Sequence, residues 1–217
     1  MLQKISFQGV FMNIITIGRE FGSGGRELGK LIAEILGYDY YDKEIISLIS
    51  EKKQDKTLFQ EALSTPIPAP MQSLHHTFNS PLYFAPHNTE FFVNQRKVIE
   101  EIAKKGKDFV IIGRNADVIL REYKPFNIFV TAQMQDKIAR CMKRANNEER
   151  LNEKQTRKKI NKIDKARKRA RYLITEKDWG HKNSYHVIVN TTGWNLKDLA
   201  PSVAQMIKDY FTSTSNE

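Results

Sequence analysis

The sequence predicts an α/β fold in which helices cover both faces of a parallel sheet. Three observations carry that expectation. Four apolar runs of strand length, NIITIG (13–18), DFVIIG (108–113), FNIFVTA (126–132) and SYHVIVNTT (184–192), are separated by stretches of helical spacing, the alternation of βαβ units. The runs are rich in isoleucine and valine and alternate little, as strands buried on both faces do. The first run passes straight into a glycine-rich turn, GREFGSGGRE (18–27), and then into an amphipathic helix.

Taken in order, residues 1–11 precede Met12 and read as an upstream extension, with Met12 as the natural start; they lack the apolar core and cleavage site of a signal peptide. After the glycine turn, Leu28, Leu31, Ile32 and Ile35 fall at i, i+3, i+4 and i+7, one helix face closed by Gly37. YDYYD (38–42) reads as a short extended piece and KEIISLISEKK (43–53) as a second helix. Residues 64–88 hold five prolines and no helical period, so they are expected to form a loop or cover that orders on ligand binding. Thr89 can cap a helix that buries Phe92, Val98, Ile99 and Ile102 and ends at Gly106. NADVILREY (115–123) gives a short helix, and 134–179 a long basic helical stretch. Residues 195–211 form the closing helix, with Pro201 in its first turn or just after a short lead-in. All this fits a single domain over 12–217.

Of the 217 residues, 40% are hydrophobic and 28% charged, a soluble globular balance. No apolar run is long enough to span a membrane. The single cysteine, Cys141, excludes an internal disulfide and suits a reducing cytoplasm. The five histidines, His75, His76, His87, His181 and His186, show no metal-ligand spacing, so no metal site built from side chains is expected. Trp179 and Trp194 read as core or loop anchors. Between Lys137 and Arg171 lie 15 of the 35 Lys and Arg but 4 of the 25 Asp and Glu, so that segment carries +11 and the rest −1 of the net +10. Such a block is a solvated helix face or a polyanion-binding surface. A nucleic-acid surface is disfavoured, because the run lacks interleaved aromatics.

The glycine turn carries the clearest chemistry. Four glycines in eight residues, between a buried strand and a helix, let backbone N–H groups surround an anion at a helix N-terminus. The usual phosphate loop is G-x-x-x-x-G-K-[ST], whose lysine reaches the phosphates. Counted from Gly18, this chain has Ser23 in the glycine slot, Gly24 in the lysine slot and Gly25 in the hydroxyl slot. Arg19 and Arg26 flank the turn and can clamp phosphate oxygens in the lysine's place. The alternative is a tight packing turn. The run VIIGRNAD delivers Arg114 to the carboxyl edge of the sheet, where ligands bind in open α/β folds, with Asp117 one turn later. That pair either binds a phosphate and a ribose or base, or is a structural ion pair. In the basic stretch, Arg140 and Arg144 share a helix face at i, i+4, whereas Arg167, Arg169 and Arg171 are expected to spread over more than one face.

In order and spacing, IGREFGSGGRELG, LGYDYYDKEII, NQRKVIEEIA, VIIGRNADVIL, IDKAR and TEKDWG…SYHVIVNTT resemble the bacterial cytidylate kinase-like family, a branch of the P-loop nucleoside monophosphate kinases. The resemblance runs from Asn13 to about Ile207, and GREFGSGG without the lysine is itself a mark of that branch. It implies a three-layer P-loop kinase fold with an acceptor-binding subdomain over 43–106 and a basic helical lid over 137–180. It implies ATP and Mg²⁺ as cofactors and small-molecule nucleotides as partners, with no membrane involved. Donor phosphates would be cradled by Gly18, Arg19, Gly22, Ser23, Gly24, Gly25 and Arg26. Asp42, Arg114 and Asp117 would face the acceptor, and Asp164 and Arg167 match the lid, with Arg140 and Arg144 on the helix leading into it. Arg114, Arg140, Arg144 and Arg167 would carry the catalytic charge. Arg169 and Arg171 match less securely, and residues 64–88 match nothing in the family pattern. Beside the kinase reading stand a kinase of another small acceptor and a nucleotide-binding protein without turnover.

Overall fold

The computed structural model describes residues 12–42, 89–145 and 151–214. The helix expected over 43–53, the proline-rich cover over 64–88 and the extension over 1–11 lie outside them. Strands β1 (Ile14–Arg19), β2 (Asp39–Tyr41), β3 (Phe109–Ile112), β4 (Phe126–Thr131) and β5 (Val187–Asn190) form one sheet in the order β2-β3-β1-β4-β5. Every pairing is parallel. The four apolar runs became β1, β3, β4 and β5, and the short extended piece became the edge strand β2.

Alternation within the strands sorts the core into two layers. Ile14, Phe109 and Ile111 point to one face and pack with Val98, Ile99, Ile102 and Ala103 of α2 (Thr89–Lys104) and with Ala116 of the short α3 (Ala116–Ile119). Ile15, Ile17, Val110, Ile112, Ile128 and Val130 point to the other. There they meet Leu28, Ile32 and Ala33 of α1 (Gly25–Leu36) and Ala200, Val203 and Ile207 of the closing helix (Leu196–Thr214). This is the three-layer arrangement of a doubly covered parallel sheet.

The inward face of α1 is not quite the expected one. Its buried residues are Gly25, Leu28, Gly29, Ile32 and Ala33, while Ile35 is exposed. The helix axis lies so close to the sheet that a Cβ at Gly29 would sit 2.5 Å from Cδ1 of Ile112 and 2.8 Å from Cδ1 of Ile17. Contact through glycine replaces contact through Ile35.

The basic stretch divides into α4 (Met134–Arg144) and α5 (Glu153–Thr175). Asn152 starts α5 with a reciprocal capping box to Gln155, each bond at 2.9 Å. The closing helix, α6, carries Pro201 as its sixth residue, beyond the first turn where proline is easily accommodated. No helix among the described residues is long and apolar enough to cross a membrane.

Candidate functional site

The loop after β1 lies at the carboxyl edge of the sheet, where β1 is flanked by β3 and β4. It turns through Gly22 and Gly24, at φ 80° and 83°, and α1 begins at Gly25 with no side chain capping its first turn. The leading amides of α1 therefore have no carbonyl of their own helix to bond, and the helix dipole adds partial positive charge there. Ser23 is fully buried, and its hydroxyl donates to the carbonyl of Glu20 at 2.9 Å, so it closes the loop on itself. Its carbonyl accepts from Thr191 Oγ1 at 2.6 Å and from Arg140 Nη1 at 3.4 Å.

Arg140 also donates to Thr191 Oγ1 at 3.0 Å and to the Thr191 carbonyl at 2.6 Å. It thus ties the glycine loop to the end of β5. Arg144, one turn on, pairs with Glu27 in the first turn of α1. The two do share a face, and that face grips the loop and α1. Arg19 runs across to β3, and a Cβ at Gly113 would collide with its guanidinium. Glycine before Arg114 thus makes room for an arginine from β1. Arg26 turns away, to pair with the buried Asp42 at 2.6 Å.

Beyond β3 the backbone is unusual. Gly113, Arg114 and Asn115 follow one another at φ 74°, 61° and 53°, three left-handed residues in a row where only the first is glycine. Conformations of this kind cost energy and concentrate at functional sites. They carry the chain past the end of β3, with Arg114 two residues beyond Ile112 and its Nη2 buried. Asp117 is gripped in bidentate fashion by Arg171 of α5, at 2.7 and 2.8 Å. Arg171 is itself buried. Of the alternatives open for Asp117, the structure shows an ion pair, with Arg171 of α5 and not with Arg114.

The helix α5 docks on the loop through Asp164 and Arg167. The Phe21 amide donates to Asp164 Oδ1 at 2.7 Å, and Arg167 Nη1 donates to the Arg19 carbonyl at 3.1 Å while its guanidinium lies over the Phe21 ring. Arg167 Nε is buried and makes no hydrogen bond, which leaves a donor for an anion. Burial pushes the Asp164 carboxyl up, against the pull of the Phe21 amide, Arg167 and Lys137. Asp164, Arg167 and Arg171 fall at i, i+3 and i+7 on one inward stripe, whereas Arg169 is exposed. The arginines do spread over more than one face, Arg169 outward and Arg167 and Arg171 inward.

Sequence reasoning passed over Glu20, Lys137 and Thr191. Lys137 Nζ lies 3.1 Å from Glu20 Oε2 and 3.1 Å from Asp164 Oδ2, with its side chain only 6% exposed. One signal was legible: Lys137 occupies the apolar stripe of α4, beside Ile138 and one turn before Cys141. Among the described residues no group of three acidic, histidine or cysteine side chains could hold a metal ion. The uncapped start of α1 and the unpaired Nε of Arg167 are groups of the kind that receive an anion.

A sequence profile described as the cytidylate kinase-like family matches residues 14–193. No curated protein matches the chain significantly. Among solved structures, an uncharacterised protein from Eubacterium ventriosum is similar at 24% identity, with 91% of this chain and 99% of that one covered and a TM-score of 0.66. The shikimate kinase of Bacteroides thetaiotaomicron is similar at 13% identity, with 91% and 99% covered and a TM-score of 0.52. That of Acinetobacter baumannii, in complex with shikimate, is similar at 15% identity, with 92% and 94% covered and a TM-score of 0.50. The shared fold is that of the P-loop kinases.

Proposed function

The chain belongs to the cytidylate kinase-like family, and from that premise we propose that it transfers the γ-phosphoryl group of ATP to a nucleoside monophosphate, with CMP or dCMP as the leading acceptors. The observation that carries this reading is the meeting, at one sheet edge, of an uncapped helix N-terminus with Arg167, whose buried Nε lacks an acceptor. ATP, when bound with Mg²⁺, supplies the phosphoryl group. An oxygen of the acceptor phosphate attacks the γ-phosphorus in line, the bond from that phosphorus to the bridging oxygen breaks, and ADP leaves with the electron pair. The acceptor is already ionised at neutral pH, so no general base is required.

The chain's part is positioning and charge. The loop amides and the start of α1 hold the donor phosphates. Arg167, on the helix that closes over the loop, neutralises charge on the group in transfer. Arg114 holds the acceptor phosphate, and Asp42, paired with Arg26, lies at the entrance to the acceptor side. Arg140 and Arg144 act on the reaction through the loop that they brace. The docked α5 excludes water, which would otherwise take the phosphoryl group. We place the protein in the cytoplasm.

A second reading keeps the fold and ATP but changes the acceptor. It is favoured by the capture of Asp117, the candidate for a ribose or base, by Arg171. Shikimate kinases show that the same fold accepts a substrate that is not a nucleotide. ADP release from ATP and Mg²⁺, across CMP, dCMP, UMP, AMP, GMP and shikimate with a no-acceptor control, separates the two. Turnover on CMP or dCMP supports the first reading, and turnover on shikimate alone supports the second. Silence across the panel with ATP-induced stabilisation leaves a nucleotide-binding protein and removes both.

A further inference from the structure

The loop has no lysine of its own, and the structure explains why one cannot be restored where the motif expects it. At Gly24 the backbone is left-handed, and a Cβ would sit 2.7 Å from Cδ1 of Leu196. At Gly25 a Cβ would sit 2.6 Å from Cβ of Arg19 and 3.0 Å from Cβ of Val130. Any side chain at these positions displaces the core behind the loop.

A lysine nevertheless lies against the loop, from another element. The backbone of α4 packs directly on Gly22, where a Cβ would meet the Lys137 carbonyl oxygen at 2.8 Å and its Cβ at 3.1 Å. From there the side chain reaches back along the loop, with Nζ between Glu20 and Asp164. Each carboxylate has donors besides the lysine. Glu20 Oε2 accepts from Thr131 Oγ1 at 2.8 Å. Asp164 accepts from the Phe21 amide at 2.7 Å and lies 3.5 Å from Arg167 Nη1. The Asp164 carboxylate thus occupies an anion position made of a loop amide, an ammonium and a guanidinium, the three kinds of donor that a nucleotide phosphate needs. Glu20 and Asp164 balance Lys137 and Arg167 in charge, so an entering phosphate competes with carboxylates for donors already gathered at the loop.

We propose that Lys137 supplies in trans, from α4, the phosphate-binding ammonium that the glycine loop lacks, with Glu20 and Asp164 holding it in place until a polyphosphate competes for it. This rests on the reading of the loop as a donor-nucleotide site. It assigns Lys137 to the β- and γ-phosphates and leaves the acceptor to other groups. The preference for ATP over AMP is then set by a residue more than a hundred positions from the motif.

The test measures equilibrium affinities for ATP, ADP and AMP, with Mg²⁺ and no acceptor. It compares the full chain with Lys137→Met and Lys137→Arg, with unliganded melting temperatures as the folding control. Removing one charged hydrogen-bond partner of phosphate costs about 10- to 100-fold in affinity. The expected result is a loss of that order for ATP in Lys137→Met, a change of less than about threefold for AMP, and partial rescue by Lys137→Arg. A structural strut would instead weaken all three nucleotides by one common factor, and that result overturns the proposal. So does a folded Lys137→Met protein with the original ATP-to-AMP preference. If Lys137→Met does not fold because two carboxylates lose their counter-ion, Glu20→Gln is compared with Glu20→Gln/Lys137→Met, which keeps the cluster's net charge. The same loss of phosphate preference is then expected only in the double variant, and equal preference in both rejects the assignment. Failure of the unaltered protein to bind ATP at all sinks the donor-site reading beneath it, a different outcome from uniform weakening.

Discussion

Arg171 is the largest fully buried side chain among the described residues, and its guanidinium would be intolerable there without the two oxygens of Asp117. Arg114, three residues before that aspartate, stands on a left-handed backbone at the sheet edge. If Arg114 holds the acceptor phosphate, Arg114→Ala removes a charged hydrogen-bond pair. The Michaelis constant for the acceptor should then rise about 10- to 100-fold, while that for ATP stays within about threefold; initial-rate kinetics with each substrate varied check this, and equal changes in both constants contradict it. At the loop, Gly24→Lys restores the motif on paper but places a side chain at φ 83° against Leu196. It should lower the melting temperature and leave the rate no higher, and a tenfold gain in turnover would show the loop to be deficient. The positions of the loop after β1 and of Arg114 after β3 were legible in the sequence because glycine spacing and a strand terminus are local signals. Lys137 was hidden because its role depends on a carboxylate 117 residues away and another 27 residues away. Arg171 was discounted for the same reason, since only the contact with Asp117 separates it from the exposed Arg169.

Where α5 meets α3, the elements are joined by a buried ion pair, Arg171 with Asp117. Removing one member of a buried pair leaves the other uncompensated, at a cost of about 3–5 kcal/mol, whereas replacing both with apolar groups is often tolerated. Asp117→Ala should therefore destabilise the fold strongly, and Asp117→Leu/Arg171→Met should recover much of the loss in urea unfolding. Equal stability of the two variants would show that the pair contributes little. At the opposite edge, His186 joins β4, β5 and α6. Its Nδ1 accepts from the Asn127 amide at 2.9 Å, and its ring stacks on Phe126. Burial holds its pKa below the ordinary histidine value. The unfolded chain then binds the proton more readily, so stability is present above the ordinary histidine range and is lost as pH falls through it. Melting temperatures from pH 8 to pH 5 should drop less in His186→Gln than in the unaltered chain, and parallel profiles would contradict this. The strands were legible because parallel strands covered on both faces need continuous apolar runs. The break between α4 and α5 was not, because the long basic stretch was read as one run although Asn152 and Gln155 have the spacing of a capping box, and the inward face of α1 was misjudged because glycine carries no hydrophobic signal.

Across the whole molecule, the +11 segment divides by orientation. Arg140, Lys137, Arg167 and Arg171 turn inward to the loop, α3 and the end of β5, while Lys158, Lys165, Lys168 and Arg169 face solvent. Composition alone located the excess charge, and the fold decides which part of it is available to a ligand. The outcome is a P-loop kinase fold in which charges contributed by α4 and α5 surround a loop that lacks its own lysine. The most direct test of this account follows the phosphorus itself, by ³¹P NMR of the protein with ATP, Mg²⁺ and CMP. The account predicts the β-phosphorus signal of CDP growing in step with ADP. Inorganic phosphate appearing in its place, or an unchanged spectrum from a protein that ATP stabilises, would contradict it.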